Sequence, residues 1–354
     1  MRGRVVVGMS GGVDSAVAAY VLKQQGYEVL GLTIRTWESD AGSVSRCCDI
    51  DDAREVAEKL DIPYHVINCA DDFKKKVTQP FIDEYISGRT PNPCVVCNRV
   101  LKWDKMLHMA DVLEADLVAT GHYAGVIRLD NGRYTLRQSG SSKDQTYMLY
   151  MLTQDQLKRT IMPLCDMTKE EVRRIADEAG IPVAQKPDSQ EICFVPDDDY
   201  AEYILEHHTG ELPGEGDFVD EEGNVIGRHK GIINYTVGQR KGLGIAMGHP
   251  VFVKRIDPVR NEVVLADDDR LYTDTVRCRD VNFMGIPGIA EGEGFKCKAR
   301  IRYHHTPQEA EVFMEGDELV IRFSEPVRAA APGQSAVMYD DDGCVALGAV
   351  ITGE

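Results

Sequence analysis

The sequence predicts an α/β fold: a doubly wound, Rossmann-like domain with a parallel sheet, then a small central β-rich domain and a C-terminal β-barrel. Three observations carry this. Strand and helix signals alternate through residues 1–200. A double-glycine turn, Ser10-Gly11-Gly12-Val13-Asp14-Ser15, joins an apolar strand to an amphipathic helix. After Cys193 the helical period gives way to short alternating runs broken by turn residues.

The elements follow in order. Strands are expected at 4–8, 28–34, 64–68 and 117–120, with helices at 13–25, 51–60, 73–86 and 100–113. Short strands separated by helices require right-handed crossovers, which place ligands beyond the carboxyl ends of the strands. A hairpin is expected at 125–138 around Asp130-Asn131-Gly132. Thr168 and Glu171 form a capping box opening a helix that runs to Ala179, with Gly180 as its stop. Asp197-Asp198-Asp199 and the stretch 211–216 read as a linker. Turns at Glu222-Gly223-Asn224, 257–261, Glu315-Gly316-Asp317 and Asp341-Asp342-Gly343 then punctuate strands to Ile351. The expected domains are 1–200, 201–270 and 271–354.

The chain has 354 residues, 43% of them hydrophobic, enough for two or three domains. No apolar run reaches the roughly 18 residues that would suggest a membrane span. The N-terminus leads straight into a strand without a signal-peptide core, so a cytoplasmic chain is expected. Its ten cysteines then read as reduced, catalytic or metal-bound rather than as a disulfide framework. A net charge of −18 argues against nucleic-acid binding by bulk charge. The distribution differs from the total. Residues 226–262 hold seven Lys or Arg against two acids, and Lys296, Lys298, Arg300 and Arg302 alternate as on one strand face. Such patches can steer a polyanion, or they can be plain solvated faces.

A buried strand that ends in two glycines and opens a helix makes a phosphate cradle. The glycines let backbone N–H groups approach an anion, and the helix N-terminus adds its positive dipole end. The Gly-Lys-Ser/Thr ending of a Walker loop is absent. Ser-Gly-Gly-x-Asp-Ser after a strand resembles the PP-loop of the ATP pyrophosphatases, which split ATP to AMP and pyrophosphate and so activate a carbonyl oxygen as its adenylate.

The second signal is Thr90-Pro91-Asn92-Pro93-Cys94-Val95-Val96-Cys97-Asn98. The prolines fix an extended approach, and Asn98 is expected to cap the helix that follows. That sets Cys97 at a helix N-terminus, where the dipole favours the thiolate. A third cysteine stands at Cys193. The alternative is a structural zinc clip at Cys94 and Cys97, which needs a second ligand pair that the spacing does not supply.

In order along the chain stand Ser-Gly-Gly-Val-Asp-Ser (10–15), Gly-Arg-Thr-Pro-Asn-Pro (88–93) with Cys94 after it, and Ala-Thr-Gly-His-Tyr (119–123). Then come Lys-Asp-Gln-x-Tyr (143–147), Ile-Cys-Phe (192–194) and Gly-Gln-Arg-Lys-Gly-Leu-Gly (238–244). Together they resemble the bacterial tRNA-specific 2-thiouridylases over essentially the whole chain. The resemblance implies replacement of the carbon-2 oxygen of the wobble uridine by sulfur in tRNAs for Lys, Glu and Gln. It implies a catalytic domain at 1–200, a tRNA-contacting domain at 201–270 and a barrel at 271–354. Gly8, Met9, Ser10, Gly11, Gly12, Val13, Asp14 and Ser15 would hold ATP, with Ile34 and Gly121 beside the nucleotide. Asn92, Pro93 and Cys94 would face the target base. Cys97 would be the catalytic thiol and Cys193 the persulfide carrier. His122, Lys143, Asp144, Gln145, Arg302, Tyr303 and Gln334 would touch the tRNA.

Two positions depart from the family pattern. Ala16 replaces a second serine found in many members. Cys94 stands where some members carry Asp, so Cys94, Cys97 and Cys193 could instead ligate a 4Fe–4S cluster with one iron open to hydrosulfide. The persulfide and cluster routes use the same residues. Further expectations are Mg²⁺ with the ATP, Asp14 helping to hold the metal or the pyrophosphate, a sulfur-donor protein as partner, no membrane association and a monomer. The rival within enzymes is an amide-forming PP-loop synthetase, which would not need the thiols.

Overall fold

The computed structural model describes residues 2–37, 49–187, 192–195 and 199–353. The first sheet starts with β1 (Arg4–Gly8), α1 (Val13–Gln24), β2 (Glu28–Arg35), α2 (Ile50–Lys59) and β3 (Tyr64–Asn68). A helical stretch follows, α3 (Ala70–Phe73), a π-turn at Lys74–Thr78 and α4 (Gln79–Ile86). Next come α5 (Pro93–Cys97), a π-segment at Asn98–Trp103 and α6 (Asp104–Val112), then β4 (Leu117–Ala119). The hairpin of β5 (Ala124–Arg128) and β6 (Tyr134–Gln138) precedes α7 (Gln154–Lys158), β7 (Thr160–Ile161), α8 (Lys169–Glu178) and α9 (Tyr200–His207).

The five strands pair in parallel in the order β3-β2-β1-β4-β7. The strand order reverses between β1 and β4, so the crevice for a ligand opens where the loops after those two strands meet. β1 shows why the sheet is sandwiched: Val5 and Val7 face one apolar layer with α1, α2 and α8, while Val6 faces another with Leu32, Phe73, Cys97 and Trp103. Side chains alternate along a strand, and here both faces are covered. β7 was absent from the sequence expectation because two residues make no periodic signal. Thr168 caps α8 in the expected capping box, with both reciprocal hydrogen bonds present.

The central domain holds β8 (Gly216–Val219), β9 (Val225–His229), β10 (Phe252–Asp257) and β11 (Glu262–Ala266) in the order β10-β11-β8-β9. The last strands are β12 (Tyr272–Phe283), β13 (Gly294–Arg300), β14 (Gln308–Glu315), β15 (Glu318–Arg328), β16 (Ser335–Tyr339) and β17 (Val345–Ile351). They close an antiparallel barrel, β12-β15-β14-β13-β16-β17, as the turn spacing predicts. The barrel is fused to the first domain by a shared core: Met284, Val337, Tyr339 and Val345 lie in one cluster with Leu136, Tyr147 and Tyr150. A Cβ on Gly348 would sit 2.2 Å from the Tyr150 ring, so no side chain larger than hydrogen fits there. Among the described residues no helix is long and apolar enough to cross a membrane.

Candidate nucleotide and thiol site

The loop from Gly8 to Ser15 opens directly into α1, whose N-cap is Gly12 with no side-chain cap. Ser15 Oγ donates to the Gly12 carbonyl at 3.0 Å and accepts from the Ser10 N–H at 3.1 Å, which closes the loop on itself. The serine hydroxyl thus shapes the loop, while the uncapped first turn of α1 supplies the donors an anion needs. Gly11 has φ +76°, and a Cβ there would lie 2.5 Å from the Asp49 carbonyl oxygen. A Cβ on Gly121 would lie 2.6 Å from Asp14 C and Ser15 N. Gly121 is therefore the floor on which the loop rests. Thr33 Oγ1 donates to Met9 O at 2.7 Å, and Ile34 is 7% exposed in the apolar layer behind.

Asp14 is not a vacant carboxylate. Tyr123 Oη donates to its Oδ1 at 2.7 Å, and Lys169 Nζ bonds both oxygens, at 2.8 and 2.9 Å. In this structure both Asp14 oxygens are engaged by Lys169. On the loop's other flank Asp49 caps α2, its N–H donates to Ser10 O at 3.1 Å, and its Oδ2 pairs with Lys186 at 3.0 Å. Burial raises the Asp49 pKa, but the Asp52 N–H and Lys186 more than offset it and leave it below 3.8. Tyr123, Lys169 and Lys186 were given no role from the sequence. Only the capping box marked the start of α8, and nothing in the spacing ties it to residue 14.

The cysteine segment differs from expectation in one respect. Asn92, not Asn98, is the N-cap: its Oδ1 accepts from the Val95 N–H at 3.4 Å, and Pro93 follows at the first helical position. Asn98 has helical dihedrals and continues the helix. Cys94 therefore occupies the first turn, and Cys97 closes α5 as a buried residue, 6% exposed. The cause is Pro93, which is preorganised to start a helix and makes the residue before it the cap. Met106 Sδ lies 3.1 Å from where a Gly8 Cβ would be. α6 packs on β1 and β4, and its amino-terminal extension carries Cys94 and Cys97.

Cys193 is half-buried and packs against the same cluster that contains Cys97 and Ile34. Its anchor is Phe194, 2% exposed, with ring centroids 5.5 Å from Phe73, 5.2 Å from Phe81 and 5.1 Å from Tyr203. Burying such a ring contributes about 2–3 kcal/mol. Residues 188–191, the start of that motif, lie outside the described residues. Among the described residues no three His, Cys, Asp or Glu side chains gather as a metal site.

Several of the remaining predicted residues act as struts. His122 Nδ1 is 2.8 Å from Thr120 Oγ1, and Gln145 Oε1 accepts from the Tyr123 N–H at 2.9 Å. Asp144 is bonded by the Ser139 N–H and Thr146 Oγ1, and burial, the largest influence, raises its pKa. Lys143 follows the Ser141 turn, half-buried. Arg302 Nη2 donates to Val237 O at 3.0 Å and Ala329 O at 2.6 Å, tying the central domain to the barrel. Tyr303 Oη donates to Asp144 O at 3.1 Å. Gln334 Nε2 donates to Thr90 O at 3.1 Å, and the Thr90 N–H donates to Pro332 O at 2.8 Å. The barrel thus grips the segment that leads into Asn92, Pro93 and Cys94.

A five-stranded parallel sheet with an uncapped Ser-Gly-Gly loop at its switch point defines a nucleotide-binding α/β protein with β-rich appendages. A family model described as "tRNA methyl transferase HUP domain" matches residues 3–197, "tRNA methyl transferase PRC-barrel domain" 202–267, and "Aminomethyltransferase beta-barrel domain" 273–351. The tRNA-specific 2-thiouridylase MnmA of Lachnoclostridium phytofermentans is 49% identical over 98% of this chain and 99% of its own length. That of Clostridioides difficile is 48% identical over 97% and 96%. The U34-tRNA thiolase NcsA of Methanococcus maripaludis, solved with its 4Fe–4S cluster, is a distant likeness: 21% identity, TM-score 0.35, 52% of this chain and 60% of that one. The chain belongs to the tRNA-specific 2-thiouridylase family.

Proposed function

We propose that the chain catalyses ATP-dependent 2-thiolation of the wobble uridine of tRNAs for Lys, Glu and Gln. The observation that carries this is one catalytic domain holding both parts: a phosphate loop at 8–15 at the switch point of the sheet, and Cys97 and Cys193 in one apolar layer with Ile34. Residues 1–200 are the catalytic part, 201–270 contact tRNA, and 271–354 brace the cysteine segment. A methyl transfer would leave both the phosphate loop and the thiols without use. An amide-forming synthetase would use the loop but not Cys97 or Cys193.

ATP arrives with Mg²⁺ on its phosphates as the substrate complex, beside Ile34 and over Gly121. The target uridine leaves its stack and enters against Asn92, Pro93 and Cys94, as enzymes acting on a base require. Its carbon-2 oxygen attacks the α-phosphorus. The α–β anhydride bond breaks, pyrophosphate leaves, and the uncapped turn of α1 offsets the charge developing on the phosphate oxygens. The terminal sulfur of a Cys193 persulfide attacks carbon 2 and expels AMP with the old oxygen. The Cys97 thiolate then attacks Cys193 Sγ, which breaks the S–S bond to the base. A Cys97–Cys193 disulfide forms, the base keeps one sulfur, and a thiol reductant resets the pair. The persulfide route needs no cluster, so no step runs through one. A persulfide-donating protein, ultimately a cysteine desulfurase, supplies the sulfur in the cytoplasm, and the chain acts as a monomer.

His122, Lys143 and Tyr303 face the tRNA, while Asp144, Gln145, Arg302 and Gln334 hold the surfaces that do. The test is mass analysis of tRNA nucleosides after incubation with ATP and a persulfide donor. The expected result is the oxygen-to-sulfur increment on uridine, lost in Cys97→Ser and Cys193→Ser while tRNA-dependent pyrophosphate release persists. Undiminished thiolation in both variants would remove the sulfur-transfer reading.

A further inference from the structure

α5 carries Cys94 and Cys97 yet has only five residues. A helix of little more than one turn is not stable on its own backbone bonds, so the position of Cys97 depends on what grips the two ends. Both grips come from one residue. At the amino end Asn92, the cap, donates from Nδ2 to Met148 Sδ at 3.6 Å. At the other end Asn98, the residue after Cys97, donates from Nδ2 to Met148 O at 3.0 Å. Cys94 and Cys97 lie between the two clamps.

The Asn98 amide is a poor choice for stability alone. The residue is 3% exposed, and among the described residues its Oδ1 accepts no hydrogen bond. A buried acceptor left unpaired costs stability, and an apolar side chain would carry no such cost. What the amide supplies is a directed bond. The helix widens from this residue on, into the π-segment Asn98–Trp103. Such segments are rare in helices and are frequent at functional sites. Beyond Asn98 the segment has braces of its own. Gln156 Nε2 donates to Arg99 O at 3.3 Å and to Asp104 Oδ1 at 2.9 Å, and Trp103 Nε1 donates to Thr160 Oγ1 at 2.8 Å. Loss of the Asn98 amide therefore leaves α6 in place and loosens the turn that carries Cys97.

Met148 is itself fixed. It lies in the turn Thr146–Leu149, and its N–H donates to Gln145 O at 3.0 Å. Tyr147 beside it donates from Oη to Ser335 O of the barrel at 2.8 Å. We propose that Asn98 is a positioning residue for sulfur transfer: through Met148 it holds the Cys97 thiol where it can attack Cys193 Sγ. This rests on the persulfide reading above. Asn98 acts through the helix that carries Cys97. A purely structural tie would slow activation of the base and sulfur transfer together.

The experiment is a single turnover of the full chain, loaded with persulfide at Cys193 by a donor, in excess over tRNA with ATP and Mg²⁺ and without added thiol. Pyrophosphate, 2-thiouridine by mass, and tRNA retained on protein in a non-reducing gel are followed together, with melting curves alongside. The proteins are the wild type, Cys97→Ser, Asn98→Ala and Asn98→Ser. Asn98→Ala leaves pyrophosphate release within about twofold of the wild type and slows 2-thiouridine formation about tenfold or more. The base then stays joined to Cys193 through the S–S bond, so a protein–tRNA adduct accumulates that a reductant releases, as in Cys97→Ser. Formation of 2-thiouridine within about twofold of the wild type overturns the proposal, as does equal slowing of both steps, or slow formation without the adduct. If Asn98→Ala does not fold, Asn98→Ser, whose side chain is one bond shorter, decides on the same criteria. A Cys97→Ser variant that yields no adduct, or a wild type that yields no 2-thiouridine, defeats the persulfide reading itself, a separate failure.

Discussion

At Gly121 the missing side chain is what lets two loops meet. A methyl group there would lie 2.6 Å from the Asp14 and Ser15 backbone, the proposed phosphate cradle. Gly121→Ala therefore pushes the loop out of shape. The expected outcome is a tenfold or greater rise in the KM for ATP, on the order of 1.4 kcal/mol or more, with tRNA affinity little changed. Steady-state pyrophosphate release at varied ATP checks it. His229 shows the same economy in the central domain. The Gly231 N–H donates to its Nδ1 at 3.0 Å, so the proton sits on Nε2, which donates to Asn261 O at 3.0 Å. Burial, the largest influence, pushes its pKa below 6.5. The Asn261 bond and Asp217 pull the other way, Arg228 pushes with burial, and the result stays low. The unfolded chain takes up a proton near pH 6.5 that the folded one refuses, so this contribution to stability is full above that pH and lost as pH falls. Melting temperature against pH from 8 down to about 5 should show a decline that His229→Gln removes.

Between residues and domains, helix ends decide where chemistry stands. α5 and α8 each begin where a side-chain oxygen takes up an orphan N–H, Asn92 for one and Thr168 for the other. Thr168→Ala removes one half of a capping box and should destabilise the chain by about 1 kcal/mol, read from urea denaturation. Because α8 presents Lys169 to Asp14, the same variant should raise the KM for ATP modestly, which a cap on an unrelated helix would not do. The cap of α5 was misplaced from sequence for a specific reason. Asn92 and Asn98 are equally good capping residues, and only the packed helix shows that Pro93 starts it. The strand alternation, the hairpin and the capping box were legible because each is a local pattern with a fixed period or offset. The pairings Lys169–Asp14, Lys186–Asp49 and Gln334–Thr90 join residues far apart in the chain, and no local pattern announces them.

Across the whole molecule, charge is sorted rather than spread. In the basic central stretch Arg228 pairs with Asp217, Lys254 with Glu221 and Arg255 with Asp257. Among the described residues no carboxylate is within ion-pair distance of the exposed Arg240 and Lys241, which the Gln239 side chain and the flanking glycines hold on an ordered loop. The second basic cluster is quieter: Lys298 faces Glu309 on the neighbouring strand, and Arg302 is half-buried in its strut role. Replacing both Arg240 and Lys241 by Ala should weaken tRNA binding and reduce the salt slope by about two. Arg302→Ala should act through domain docking, lowering stability more than it alters the slope. Binding isotherms at several salt concentrations, set beside melting curves, separate the two.

The amino-acid sequence alone determined most of the strands and helices, the barrel, the double-glycine loop and the three thiols, because periodicity, capping offsets and glycine turns are properties of neighbouring residues. Only the tertiary structure decided that Asp14 is a paired charge, that Asn92 caps the thiol helix, and that Asp144, Gln145, Arg302 and Gln334 hold surfaces together. Those facts depend on which distant groups the packed core brings within hydrogen-bonding distance, and burial, which sets the value of each such contact, exists only after the chain has folded.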